Sequence, residues 1–125
     1  MENLLRIEPT RSTPFCQLDL SEGLLEFKGR SSPNSSIEFY SPIIQNVESA
    51  FQNGTSTLTA NFNFEYFNTS SSKCLFDLLK KLAAYMSKGA EVTINWFYEE
   101  EDEDMLETGE DYEEILGLTF NYIPV

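Results

Sequence analysis

From Thr57 to Phe67 the chain alternates without interruption, with Leu58, Ala60, Phe62, Phe64 and Tyr66 on one face and Thr59, Asn61, Asn63 and Glu65 on the other. Successive side chains of a strand point to opposite sides, so this segment buries a single face only when it is extended. A few residues later the period changes. Leu75, Leu78, Leu79, Leu82 and Met86 fall at three- and four-residue spacing along one helical stripe, and Lys88-Gly89 offers a basic last turn with a glycine able to take the left-handed cap. A half-apolar strand beside an amphipathic helix needs a common core, which points to a sheet with helices laid on it.

The rest of the chain extends that pattern. Leu4 to Glu8, Phe15 to Leu20 and Leu24 to Lys28 read as short strands separated by Pro14 and by Ser21-Glu22-Gly23. After the polar break Ser31-Ser32-Pro33-Asn34-Ser35-Ser36, Ser41-Pro42 is predicted to start a first helix, with serine as N-cap and proline at the first helical position. Ile43, Ile44, Val47 and Phe51 mark its buried face, and it should end at Asn53-Gly54. Val92, Ile94, Trp96 and Tyr98 alternate with Thr93, Asn95 and Phe97 in a strand expected to share a sheet with residues 57–67. The acidic run from Glu99 to Asp104 favours the start of a third helix, because carboxylates offset the positive end of the helix dipole. That helix should reach Leu116, ahead of a last strand from Leu118 to Ile123.

The predicted order is β-β-β-α-β-α-β-α-β, in a single domain spanning residues 1–125. Thr59, Asn61, Asn63, Thr93 and Asn95 would line one polar sheet face, so the helices should pack on the other. The fold class is therefore α/β, a two-layer mixed sheet with about three helices mainly on one face.

Charge and composition exclude several functions. With 21 acidic and 8 basic side chains the net charge is −13, which repels nucleic acid and anionic membrane surfaces alike. No stretch is long and apolar enough to span a bilayer, and Met1 to Leu20 lacks the basic and apolar segments of an export signal, so a cytoplasmic location is expected. Cys16 and Cys74 lack the clustering of a disulfide framework or zinc site and are expected to be reduced and packed. The chain contains no histidine, which removes the commonest general base and the commonest nitrogen ligand for metals. No glycine-rich phosphate loop, nucleophile elbow or kinase motif series is present, so neither catalysis nor a cofactor or metal is expected. Glu99 to Asp104 lacks the ligand spacing and turn glycine of a calcium loop; it reads as a solvated helix cap or as a recognition surface.

Phe67-Asn68-Thr69-Ser70-Ser71-Ser72-Lys73 concentrates hydroxyl groups where the clearest strand gives way to the clearest helix. Two readings fit it. The hydroxyls cap the first helical turn, accepting from N–H groups that have no helical partner. Alternatively a kinase modifies one of them, adding about 1.5 to 2 negative charges where the helix dipole and free N–H groups accommodate an anion.

Blocks along most of the chain resemble the SiaC family of bacterial regulatory phosphoproteins: Ser12-Thr13-Pro14, Gly29 to Ser36, Phe67 to Lys73, Trp96-Phe97-Tyr98-Glu99-Glu100 and Gly109-Glu110-Asp111-Tyr112. One departure is Pro33-Asn34-Ser35-Ser36, where the family pattern is Pro-Glu-Asn-Ser. The resemblance implies a fold similar to the STAS domains of anti-sigma-factor antagonists. It also implies that Thr69 is the phosphoacceptor, with Asn68, Ser70, Ser71 and Ser72 around it as candidate partner-contact residues. By the same resemblance a SiaB-like protein kinase would modify Thr69 and a PP2C-type phosphatase would restore it. The unmodified chain would bind and activate a diguanylate cyclase, controlling cyclic-di-GMP and biofilm formation. The alternative is a constitutive scaffold subunit using the open sheet face and the acidic third helix, with no phosphoswitch.

Overall fold

The computed structural model describes residues 4–125; Met1, Glu2 and Asn3, which open the segment searched for an export signal, lie outside the described residues. Nine elements follow in the order β1 (Leu4–Ile7), β2 (Phe15–Asp19), β3 (Leu24–Ser31), α1 (Ser36–Gln52), β4 (Thr57–Phe67), α2 (Thr69–Ser87), β5 (Glu91–Tyr98), α3 (Glu103–Leu116) and β6 (Phe120–Pro124). The strands form a six-stranded sheet in sequence order. β1, β2 and β3 run antiparallel, whereas β3 through β6 are parallel neighbours.

That order explains the predicted two layers. Crossovers between parallel strands of one sheet follow a right-handed rule, and all three here step in the same direction across the sheet. The helices therefore fall on one face. Leu25, Phe27, Phe62, Ile94 and Trp96 meet Tyr40, Ile43, Leu75, Leu78, Leu79 and Leu82 there, each with at most 1% of its surface exposed. The opposite face carries a polar row in which Asn121 donates to Asn95 at 3.0 Å and Asn95 to Asn61 at 2.8 Å. Cys16 and Cys74 are both buried and unbridged.

Two local expectations are corrected. The first helix begins at Ser36 under an N-cap at Ser35, whose Oγ accepts from the Glu38 N–H, and Pro42 lies inside the helix rather than at its start. An interior proline lacks an N–H and crowds the carbonyl four residues before it. The extra turn nevertheless forms because it buries Tyr40 and Ser36 completely or nearly so. The sequence did carry a competing signal: Ser35 and Glu38 have the spacing of a capping box.

Tyr66 does not join the core face of β4. Pairing runs Gly29 with Phe64 and then Arg30 with Tyr66, so Glu65 is an extra residue on β4. This bulge turns Tyr66 outward, 44% exposed, beneath the Arg30 guanidinium at 5.0 Å from the ring centroid. Phe67 takes the inward place instead, meeting Phe64 and Trp96 edge-on.

Candidate functional site

In a parallel sheet with right-handed crossovers, each helix starts beyond the carboxyl end of the preceding strand. The ends of β3 and β4 thus deliver the N-termini of α1 and α2 to the same edge, where Ser36 Oγ lies 2.7 Å from Ser70 Oγ. Both dipoles present their positive ends there.

Asn68 fixes the junction. Its backbone is extended, its N–H donates to the Ser31 carbonyl at 2.9 Å, and its side-chain oxygen caps α2 by accepting from the Ser71 N–H at 2.9 Å. The Asn68 carbonyl then accepts the Ser72 N–H at 2.9 Å, closing the first turn. The cap expected among the hydroxyls is therefore an asparagine, whose amide reaches the third helical N–H as a serine would.

A hydroxyl network runs inward from this turn. Tyr40 Oη is 2.6 Å from Ser31 Oγ, Ser31 donates to Ser71 Oγ at 2.8 Å, and Ser71 donates back to the Ser31 carbonyl at 3.2 Å. Ser36 Oγ contacts Ser71 Oγ at 3.2 Å as well as Ser70, and Ser70 also reaches the Asn68 side chain at 3.3 Å. Ser31, Ser36, Ser71 and Tyr40 are almost wholly inaccessible to water, so these bonds replace hydration that the groups have lost. Burial pushes the Tyr40 phenol well above its ordinary pKa. On the other flank, Tyr112 of α3 donates to the Ser72 carbonyl at 2.8 Å and lies 2.8 Å from Ser72 Oγ.

The residues singled out from the sequence thus separate by environment. Ser71 is fully buried, so Asn68, Ser70 and Ser72 are the members of the proposed contact set that reach solvent. Ser70 and Ser72 have their hydroxyls engaged. Thr69 is exposed at the first position of α2, and among the described residues its hydroxyl has no hydrogen-bond partner. It is the one hydroxyl of residues 69–72 free to react without breaking an existing bond. Ser31, Ser36 and Tyr112 lie in blocks that carried the family resemblance but were given no role, and Tyr40 was not named; Ser31, Ser36 and Tyr112 act through contacts 34 to 40 residues apart, and Tyr40 through Ser31, which no local pattern encodes.

The acidic run does not converge on this turn. Asp102 caps α3 by accepting from the Met105 N–H at 3.0 Å, and Glu103 and Asp104 occupy the first turn, as a helix dipole favours. Asp102 and Asp104 also line, with Glu65, Tyr66, Phe67, Met105 and Thr108, an open groove of about 300 Å³. Among the described residues no group of three or more His, Cys, Asp or Glu side chains is placed to hold a metal ion.

Comparison with known proteins yields consistent relatives. The family model described as "SiaC family regulatory phosphoprotein" matches residues 7–125. A protein of Pseudomonas aeruginosa described as uncharacterized is 33% identical over 116 residues, covering 93% of this chain and 92% of its own length. The crystal structure of apo-SiaC from Pseudomonas aeruginosa superposes with a TM-score of 0.86 at 31% identity, over 99% of this chain and 98% of that one. A structure of the diguanylate cyclase SiaD in complex with its activator SiaC, from the same organism, gives a TM-score of 0.87 at 32% identity, over 96% of this chain and 97% of that one.

Proposed function

Since the chain belongs to the SiaC family of regulatory phosphoproteins, we propose that it is a phosphorylation-controlled adaptor that binds and activates a diguanylate cyclase when Thr69 is unmodified. The observation that carries this reading is the Thr69 hydroxyl, which is exposed and uncommitted at the head of α2 while the hydroxyls after it are tied into the fold. The chain acts as a regulatory partner of the cyclase, and the cyclase performs the chemistry that makes cyclic-di-GMP and governs biofilm formation. The relative crystallised with SiaD, described there as the activator of that cyclase, supports the choice of effector.

A SiaB-like kinase transfers the terminal phosphoryl group of a nucleoside triphosphate to Thr69 Oγ1. The hydroxyl proton passes to a base on the kinase and the diphosphate departs. A PP2C-type phosphatase reverses the modification with water, releasing inorganic phosphate and restoring the hydroxyl. Phosphate adds about 1.5 to 2 negative charges to the exposed head of the helix. Because Thr69 Oγ1 has no partner among the described residues, the modification alters the surface offered to the effector and leaves the buried network intact. All of this takes place in the cytoplasm; among the described residues no helix is long and apolar enough to cross a membrane.

The test is effector binding by three forms of the full chain: unmodified, phosphorylated at Thr69, and Thr69→Ala. Calorimetric titration with a diguanylate cyclase of the same organism should show tight binding for the first and third and at least tenfold weaker binding for the second, an estimate of about 1.4 kcal/mol. Equal affinities in all three overturn the switch and leave a constitutive scaffold.

A further inference from the structure

We propose that Lys73 is the intramolecular receptor of the Thr69 phosphate, holding the modified side chain against the first turns of α2. This rests on the phosphoswitch reading above and specifies how its modified state is held.

Residues 69 and 73 both lie within the uninterrupted helix α2, four positions apart, so their side chains share one face about 5–6 Å apart at Cβ. Both are exposed. Among the described residues Lys73 has no carboxylate within ion-pair distance, and the ion pairs there are Arg6 with Glu8 and Lys81 with Glu48. α1 and α3 contain no lysine or arginine, and the other lysines of α2, Lys80 and Lys81, lie about two turns further on. At the end of β3, Arg30 is directed over the Tyr66 ring. Lys73 is therefore the cation of the three helices that lies within about one helical turn of Thr69.

Asp77, four residues further along, is the competing anion on the same helix. Direction decides between them. Helical side chains lean toward the N-terminus, which inclines Lys73 toward residue 69 and away from residue 77. A phosphate also carries more charge than a carboxylate and sits at the positive end of the dipole, next to the N–H groups of Thr69 and Ser70, which precede the first bonded N–H of the helix. Modification thus adds an anion to the surface and withdraws a cation one helical turn away, so an effector carboxylate that had met Lys73 would find it occupied.

The experiment uses the full chain with phosphothreonine encoded at position 69, so that no kinase is involved. Phosphorus NMR titration at low salt should give a second phosphate pKa that rises by about 0.3 unit in Lys73→Met and stays at the parent value in Lys73→Arg, with the difference shrinking at high salt. In the parent chain the Lys73 ammonium resonance should shift with the phosphate titration, a readout that needs no variant. Coincident phosphate pKa values in all three proteins, together with an unmoved lysine resonance, overturn the proposal and leave the switch standing. Failure of any cellular kinase to modify Thr69 overturns the switch and leaves this measurement interpretable.

Discussion

The Tyr112 hydroxyl donates to the backbone carbonyl of Ser72 at 2.8 Å, and the Ser72 hydroxyl lies 2.8 Å from the same phenol oxygen. These residues are 40 positions apart, on α3 and α2, and the contact pins the turn that carries Thr69 against the third helix. The phenol ring also stands edge-on to Trp96 at 5.8 Å between centroids, so the turn is braced from the middle of the core. Tyr112→Phe keeps the ring packing and deletes both bonds. It should cost about 1 kcal/mol in urea unfolding, whereas an unchanged midpoint would show that the bonds contribute nothing net.

Gly109 has a different relation to the same tryptophan. A Cβ at residue 109 would stand 2.8 Å from Trp96 Cδ1 and Nε1, closer than real contacts allow. The indole cannot retreat freely, because its N–H donates to the Met105 carbonyl at 2.9 Å. Glycine to alanine inside a helix ordinarily stabilises by about 1 kcal/mol. At Gly109 the sign should reverse, with a loss of about 1–3 kcal/mol from overpacking. Trp96 is the single tryptophan of the chain, so its fluorescence spectrum reports the displacement directly.

Thr69 and Ser71 should behave oppositely although they lie two residues apart. Thr69→Ala removes an exposed hydroxyl with no partner among the described residues and should change stability by less than about 0.5 kcal/mol. Ser71→Ala removes the acceptor of the Ser31 hydroxyl and a neighbour of Ser36, leaving buried polar groups short of partners at a cost of about 1–3 kcal/mol. Chemical denaturation of the two variants side by side tests the division between a reactive hydroxyl and a structural one.

Alkaline pH should destabilise the fold before ordinary tyrosine ionisation is complete. Burial raises the Cys16 thiol from 9.0 to about 12 and raises the Tyr40 and Tyr112 phenols above their usual range. For each group the folded state keeps its proton to higher pH than the unfolded chain does. The stabilisation is complete below the unfolded value and is lost as pH rises toward the folded one. Cys16 acts first, contributing a slope of up to about 1.4 kcal/mol per pH unit above roughly pH 9. Urea unfolding at several pH values should show the decline, and Cys16→Ala should make it shallower near its onset, leaving the part from Cys74, whose thiol is also raised by burial. Stability that held level from pH 8 to about 11 would contradict the assignment.

The hydroxyl-rich turn on which the proposed function rests was legible in the sequence from local chemistry. The apolar alternation of β4 and the leucine stripe of α2 are written in neighbouring residues, so the junction between them, and Thr69 at its head, was legible directly. The misplaced start of α1 has the opposite cause. Ser35 and Ser41-Pro42 are both credible local starts, and burial of Tyr40 against β3, not propensity, selects the earlier one.

Thus periodicity and capping chemistry in the sequence determined the elements, their order, the single helix-covered face and the hydroxyl-rich turn, because each depends on residues a few positions apart. Tertiary structure alone decided which hydroxyl stays free. Strand pairing and helix packing bring Ser31, Ser36, Tyr40 and Tyr112 to the turn from distant parts of the chain, and their hydrogen bonds occupy Ser70, Ser71 and Ser72 while leaving Thr69 open to solvent. The same holds for the outward turn of Tyr66, which follows from a bulge in the pairing of two strands and from nothing in the alternation of one.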